Sequence, residues 1–265
     1  MDFLNKFCDE VDISNGMCVH VGAYCQNQHE WESSPSSIFT KNGHKTYYFD
    51  MSYDDLISNV GEENIKNWDI SFENLKNTFP NENIGDIEII ELRAGICNHS
   101  RFENMIEFTD GFRSLTIDVD GGDYWIFASI EQEYDIIICE FNPELPAGNY
   151  TEYNFHSFQS GDIVYENTDE IRSYTGETYI SCSYDALIKL AKFKGYYSIE
   201  YFDESPNLIF LNNKYKSKYS ESTKTYIDMF NYYKEAGYSH QYYDYDKILQ
   251  NPPVEFKKEL ICLNT

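Results

Sequence analysis

The stretch from Ser114 to Asn142, SLTIDVDGGDYWIFASIEQEYDIIICEFN, constrains the fold more than any other. Leu115, Ile117 and Val119 make a short apolar run rich in β-branched residues, the pattern of a buried strand. The run ends in Asp118-Val119-Asp120-Gly121-Gly122-Asp123, whose paired glycines permit a tight turn where side chains would obstruct. Tyr124–Ile130 suits a buried helix, and Asp135–Asn142 reads as a second strand, stopped by Pro143. Strand, turn, helix and strand make a βαβ unit. Acids stand at the carboxyl ends of both strands, where open α/β sheets place their ligands.

A chain of 265 residues has room for one large α/β domain around a sizeable core. Its 45 acidic residues against 20 basic ones give a net charge of -25. Such a surface repels phosphate backbones and anionic lipid, so neither nucleic acid nor a membrane is expected as a partner; solubility is its plainest meaning. An aromatic content of 17% excludes a disordered acidic chain, which could not carry that much apolar ring surface. The seven cysteines lack CxxC spacing, which fits a reducing compartment. The opening MDFLNKFCDEVDIS does not read as a signal peptide, and no apolar run approaches membrane-spanning length, so a cytoplasmic protein is expected.

Strands and helices alternate along the rest of the chain. Met1–Val11 reads as a short helix with Phe3, Leu4 and Phe7 on one face, broken by Gly16. Met17–Val21 is a first strand with Gly22 at its end; a glycine there lets backbone approach a nucleotide-like ligand or simply makes a turn. Residues 23–43 read as polar loop. Lys45–Phe49 is a second strand ending at Asp50, an acid placed either to accept hydrogen bonds from ribose hydroxyls or to cap a following helix. Tyr53–Val60 and Ile65–Phe79 look helical, and Asp86–Leu92 is a third strand. Ser100-Arg101-Phe102-Glu103 has the spacing of a capping box, with Phe102, Met105 and Ile106 as the apolar face of its helix. Pro143–Tyr179 is an aromatic and polar segment long enough to suggest an ordered lid. Ser181 or Ser183 caps a helix lined by Tyr184, Leu187, Ile188 and Ala191 and stopped by Gly195. Tyr196–Phe202 and Leu208–Leu211 are joined closely enough for a hairpin. Residues 214–265 read as a partly helical appendage or a dimer contact, which leaves a homodimer open.

Strand–helix alternation closed by a hairpin is the outline of the S-adenosylmethionine-dependent methyltransferase fold. IDVDGGDYWIF (Ile117–Phe127) with IIICEFN (Ile136–Asn142) resembles a subgroup of the FkbM-like methyltransferases. SYDALIKLAKFKGYYSIEYFDESPNLIFL (Ser183–Leu211) is similar to the last helix and hairpin of that subgroup. The resemblance covers roughly Gly16–Asn213, so residues 1–213 are expected to form one methyltransferase domain. It implies a Rossmann-like α/β fold, with a mostly parallel sheet, one antiparallel strand and helices on both faces. It also implies S-adenosylmethionine as cofactor and methylation of a hydroxyl on a sugar, nucleotide-linked sugar, glycan or other small molecule. Carried over by position, Gly22, Ala23 and Tyr24 form the cofactor loop, Asp50 with Met51 the ribose-side contact, and Asp118 the strand-end acid near the methionine moiety. Ala23–Asn27 departs from the family pattern, because bulkier residues stand at the usual second and third glycines.

Methyl transfer to oxygen asks a protein to align acceptor, methyl carbon and sulfur, to exclude water, and to help the hydroxyl lose its proton. Asp118 and Asp120 lie two apart, and Glu140 and Asn142 repeat that spacing on the next strand. Four oxygen ligands at neighbouring strand ends suit Mg²⁺ or Ca²⁺ better than zinc; without a metal, the same groups cap a helix and bind cofactor. Asp120, His99 or His156 is placed to act as base, the two histidines otherwise being solvated loop residues, and Asp123 is placed to stabilise a helix start. His20 reads as a satisfied core histidine, and His29 and His44 as loop residues. Trp31, Tyr124 and Trp125 are aromatic faces available to a sulfonium, or core. A second function class stands beside the enzyme: a degenerate methyltransferase fold kept as a binding or interaction module.

Overall fold

The computed structural model describes residues 2–22, 34–51, 87–92, 102–119, 123–141, 157–159, 162–164, 182–199 and 206–235. Nine strands are described: β1 Met17–Val21, β2 Lys45–Met51, β3 Ile87–Leu92, β4 Arg113–Ile117, β5 Ile136–Glu140, β6 Ser157–Gln159, β7 Asp162–Val164, β8 Tyr196–Ser198 and β9 Asn207–Asn212. The described helices are α1 Asp2–Glu10, α2 Pro35–Lys41, α3 Asp123–Ser129, α4 Tyr184–Phe193 and α5 Tyr226–Glu235. Seven strands form one sheet in the order β3-β2-β1-β4-β5-β9-β8. β1 pairs in parallel with β2 on one side and β4 on the other, β3 joins β2 in parallel, and β8 and β9 pair antiparallel with Tyr197 opposite Leu211. The fold is therefore α/β with a mostly parallel sheet and one antiparallel pair, compatible with a Rossmann-like architecture. The hairpin expected near the end of the sheet is present.

The chain divides into two compact units, Met1–Val119 with Glu131–Ile138, and Asp120–Ile130 with Cys139–Thr265. In the first, the strands carry the core, and Met17, Val19, Phe49, Leu115 and Ile136–Ile138 are buried. α1 presents Leu4 and Phe7 to this core, as its 3.6-residue pattern demands, and Phe7 stacks on Phe3 at 5.8 Å. A ring cluster joins α1 and α2 to the residue before β4: Phe112 lies 6.0 Å from Phe7 and 5.7 Å from Phe39. Each such buried ring contributes about 1.5–3 kcal/mol of transfer free energy.

In the second unit, Ser183 caps α4, its hydroxyl accepting from the Ala186 N–H at 3.3 Å, and Gly195 ends the segment at φ +87. Tyr184, Leu187, Leu190 and Ala191 are buried as the helical spacing requires, while Ile188 is only half-buried. Phe127 of α3 packs on Tyr196 at 6.0 Å and Phe210 at 5.5 Å. The Lys194 ammonium donates to the carbonyls of Ala128 and Ile130 at 2.8 and 2.9 Å, satisfying groups that the C-terminus of α3 leaves open. α5 begins with a reciprocal cap: the Thr225 N–H and hydroxyl donate to the Asp228 carboxylate, and the Asp228 N–H returns to the Thr225 oxygen.

Three sequence expectations change. The 23–43 loop contains α2, entered through Ser34-Pro35 with proline in the first turn, where its missing N–H costs nothing. Ser36, Ser37 and Thr40 of this helix are buried, which its polar composition concealed. Ser100 and Arg101 of the expected capping box lie outside the described residues, and where its helix was expected Glu103–Met105 form a 3₁₀ turn, preceded by Phe102 with no side-chain cap bond. Glu103 faces away from its own turn: its carboxylate accepts from the N–H groups of Glu131 and Gln132 and from the Tyr134 hydroxyl at 3.0 Å. Met105, expected in the core, is 48% exposed. Within the segment expected as an ordered lid, β6 and β7 form an antiparallel pair. The helices expected at 53–60 and 65–79 lie outside the described residues.

Candidate functional site

Strand order reverses at β1, which lies between β2 and β4, so the carboxyl ends of β1 and β4 flank a topological switch point. Gly22 follows β1 at φ +84, its N–H donating to the Phe49 carbonyl at 2.8 Å. Asp118 follows β4, its N–H donating to the Val21 carbonyl at 3.0 Å. The first bond ties the end of β1 to β2, and the second draws the ends of β1 and β4 together. A Cβ on Gly22 would run into the Asp118 carbonyl and lie 2.8 Å from Val119 Cγ1. Glycine is therefore required twice here, by its positive φ and by the closeness of the neighbouring backbone.

The remaining predicted site residues distribute as follows. Asp50 and Met51 are the last two residues of β2, in parallel register with Glu91 and Leu92 of β3. Asp118 is half-buried at the end of β4, and Glu140, the last residue of β5, is half-buried too. Asp123 opens α3 and is fully buried, in keeping with its expected role at a helix start. Tyr124 is fully buried. Ala23, Tyr24, His99, Asp120 and Asn142 lie outside the described residues, as do Trp31 and the second half of each acid pair. Among the described residues no group of three or more His, Cys, Asp or Glu side chains is arranged to hold a metal ion.

Behind β1 and β2 lies a polar layer absent from the sequence reading. His20 is buried with its Nδ1 2.9 Å from the Ser36 hydroxyl, which itself meets the Ser34 hydroxyl at 2.7 Å. Thr40 Oγ1 donates to the Ser36 carbonyl and lies 3.0 Å from Thr46 Oγ1 and 3.3 Å from the Tyr48 hydroxyl. His20 is thus a satisfied core histidine, as its strand position suggested. Burial pushes its imidazole down to about 3, so it is neutral at physiological pH and a poor proton acceptor. His44 lies in the connection between α2 and β2, but it is buried, packed 5.6 Å from the rings of both Phe39 and Phe112. Neither of its ring nitrogens reaches hydrogen-bond geometry. Burial lowers its basicity, opposed in part by the backbone of Ile13 and Met17.

One signal for this layer was available: Ser-Pro ahead of Ile38 and Phe39 is a helix-start pattern. Among the described residues no helix is long and apolar enough to cross a membrane. Comparison with known proteins finds no matching family, no matching curated protein and no matching solved structure.

Proposed function

We propose that the chain is an S-adenosylmethionine-dependent O-methyltransferase acting on a hydroxyl of a sugar, nucleotide-linked sugar, glycan or other small molecule. One observation carries this reading: the close approach of Gly22 and Asp118 at the switch point of a mostly parallel sheet. Open α/β sheets bind nucleotide-like ligands at that position. A glycine turn after the first strand and acids at the ends of the second and fourth support a cofactor there.

In this reading Gly22, Ala23 and Tyr24 would form the cofactor loop, Asp50 with Met51 would hold the ribose side, and Asp118 would serve the methionine end. The bound sulfonium supplies an activated methyl group. The protein's part is to hold the acceptor oxygen in line and to take its proton. Asp120 or His99 would take that proton directly; Asp118, Asp120, Glu140 and Asn142 are the residues that would hold Mg²⁺, whose charge would acidify the hydroxyl. Activity that is lost in chelator and restored by Mg²⁺ selects the metal; full activity in chelator with loss in Asp120→Asn selects the base.

A second reading, a methyltransferase-like fold acting as a binding module, draws on the same turn. The space beside Gly22 is taken by the chain's own backbone, and Ala23–Asn27 carries no further glycine. Calorimetry with S-adenosylmethionine and S-adenosylhomocysteine separates the two. Saturable binding, weakened in Asp50→Ala by about 1.5–3 kcal/mol through loss of a charged acceptor, supports the enzyme. A folded parent that binds neither compound supports the module.

A further inference from the structure

The sequence holds two Asn-Gly pairs, Asn15-Gly16 and Asn42-Gly43. Both border His44. Gly43 precedes it in the chain, and Gly16 lies against its ring, where a Cβ would strike Cε1. Packing therefore requires glycine at 16, and a φ of +83 requires it at 43. An asparagine ahead of glycine is open to attack on its carboxamide carbon by the next backbone nitrogen, because glycine has no Cβ to shield that nitrogen. In a folded chain, hydrogen bonds to the two reacting groups oppose the reaction. Both asparagines are exposed, so access to water does not distinguish them.

Their hydrogen bonds do. At Asn42 both reacting groups are tied: Nδ2 donates to the Ile38 carbonyl at 2.8 Å, and the Gly43 N–H donates to the Thr40 carbonyl at 3.0 Å. The Asn42 N–H also donates to Ile38 and Phe39, so this pair forms the C-cap of α2, and reaction there must first unwind the helix end. At Asn15, among the described residues, neither the carboxamide nor the Gly16 N–H makes a bond of hydrogen-bond geometry. The bonds at this pair go to its carbonyls, from the Thr109 hydroxyl to Asn15 at 3.4 Å and from the Lys45 N–H to Gly16 at 3.2 Å. Asn15 stands in the turn between α1 and β1 at φ +52, the one non-glycine residue with positive φ among the described residues.

We propose that Asn15 is a deamidation site of the folded chain, that Asn42 is protected, and that conversion of Asn15 loosens the packing around His44. The Gly16 nitrogen, its proton taken by hydroxide, bonds to Asn15 Cγ, and Nδ2 leaves as ammonia with a proton from water. Water then opens the resulting five-membered succinimide. Cleavage of the new N–Cγ bond gives aspartate. Cleavage of the original peptide C–N bond gives isoaspartate, whose main chain runs through Cβ and is one methylene longer. Nothing is oxidised or reduced; one water enters and one ammonia leaves. The added methylene falls between two close approaches, since a Cβ on Gly16 would strike His44 and a Cβ on Gly111 would strike the Asn15 carbonyl. A packed interior takes up an extra methylene only by shifting its neighbours.

The test ages the full chain in mildly alkaline buffer, native and in urea, and follows the peptides that carry Asn15 and Asn42 by mass spectrometry. Replacement of –NH₂ by –OH marks conversion, and chromatography separates isoaspartate from aspartate. In the native chain Asn15 should convert at least about tenfold faster than Asn42, a difference within reach of the hydrogen bonds that tie Asn42. In urea the two rates should agree within about threefold, because both pairs then stand in an open chain. The converted native chain, separated by its added negative charge, should unfold at lower urea than the unconverted chain. Native conversion of Asn42 as fast as that of Asn15 overturns the proposal. So does an Asn15 peptide that stays intact in the native chain while it converts in urea. An equal urea midpoint for converted and unconverted chains overturns the loosening around His44.

Discussion

The backbone carbonyl of Asp118 fills the position that a Cβ on Gly22 would need. The two residues belong to strands that pair in parallel, Val21 opposite Ile117, and each lies one step beyond that pair. A side chain at Gly22 would have to push the β4 exit away from β1 while also tolerating φ +84. The backbone strain alone costs about 1–3 kcal/mol. Gly22→Ala should therefore lower unfolding free energy by at least that amount in a urea titration. A loss under a few tenths would mean the turn relaxes freely and is not a fixed element of the switch point.

The buried histidines give the protein a pH dependence of known sign. His20 is pushed down to about 3, and His44 is lowered as well, each chiefly by burial. In the unfolded chain both take up a proton near pH 6.5. Below that value the unfolded state binds protons that the folded state refuses, so stability falls as pH falls. The slope reaches up to about 1.4 kcal/mol per pH unit for each histidine. Between about pH 6.5 and 5 this dependence lies above the range in which most carboxylates titrate. Glu103 acts in the opposite sense, since burial raises its carboxyl and its contribution to stability declines as pH rises. Denaturation midpoints across this window should drop in the parent and drop less in His20→Asn. Identical slopes would show that His20 is protonated without penalty.

Much of the architecture was legible because the central strands are short runs rich in apolar and β-branched residues. Met17–Val21 and Ile136–Cys139 need no partner to be recognised as buried strands. The strand-end positions of Gly22, Asp50, Asp118 and Glu140 follow from the same reading, because a strand's end is local information. What was not legible depends on partners distant in the chain. Ser36 and Thr40 look like loop residues until His20, Thr46 and Tyr48 are brought to them. Glu103 looks like a cap until residues 131–134 arrive. The contact of Gly22 with Asp118 has the same character, since it exists only once β1 and β4 are paired.

Glu103 and Tyr134 should show strong coupling. The phenol donates to a buried carboxylate whose other bonds come from the N–H groups of Glu131 and Gln132. Tyr134 also packs edge-on against Phe108 at 6.2 Å, so Tyr134→Phe keeps the ring and removes only the donor. A hydrogen bond to a charged group contributes about 1.5–3 kcal/mol. A double-mutant cycle with Glu103→Gln should return a coupling of that order. Additive effects would show that the carboxylate is held by the backbone donors alone.

Lys194 and Lys192 are two residues apart but should respond differently to the same substitution. Lys194 donates to two carbonyls at the end of α3, Ala128 and Ile130, where the helix has no partner of its own to offer. A cation there also complements the negative end of the helix dipole. Lys194→Met keeps most of the aliphatic stem and strips the charged donor from both carbonyls, so it should cost about 1.5–3 kcal/mol. The Lys192 ammonium meets only Glu221, with its side chain 57% exposed, and solvent screens that pair. Lys192→Met should therefore cost under about 1 kcal/mol. Urea denaturation of both variants at one pH and salt concentration makes the comparison direct. Equal costs would mean that the α3 carbonyls find water when the ammonium is gone, and that Lys194 does not fix the helix that follows the Asp118–Asp123 segment.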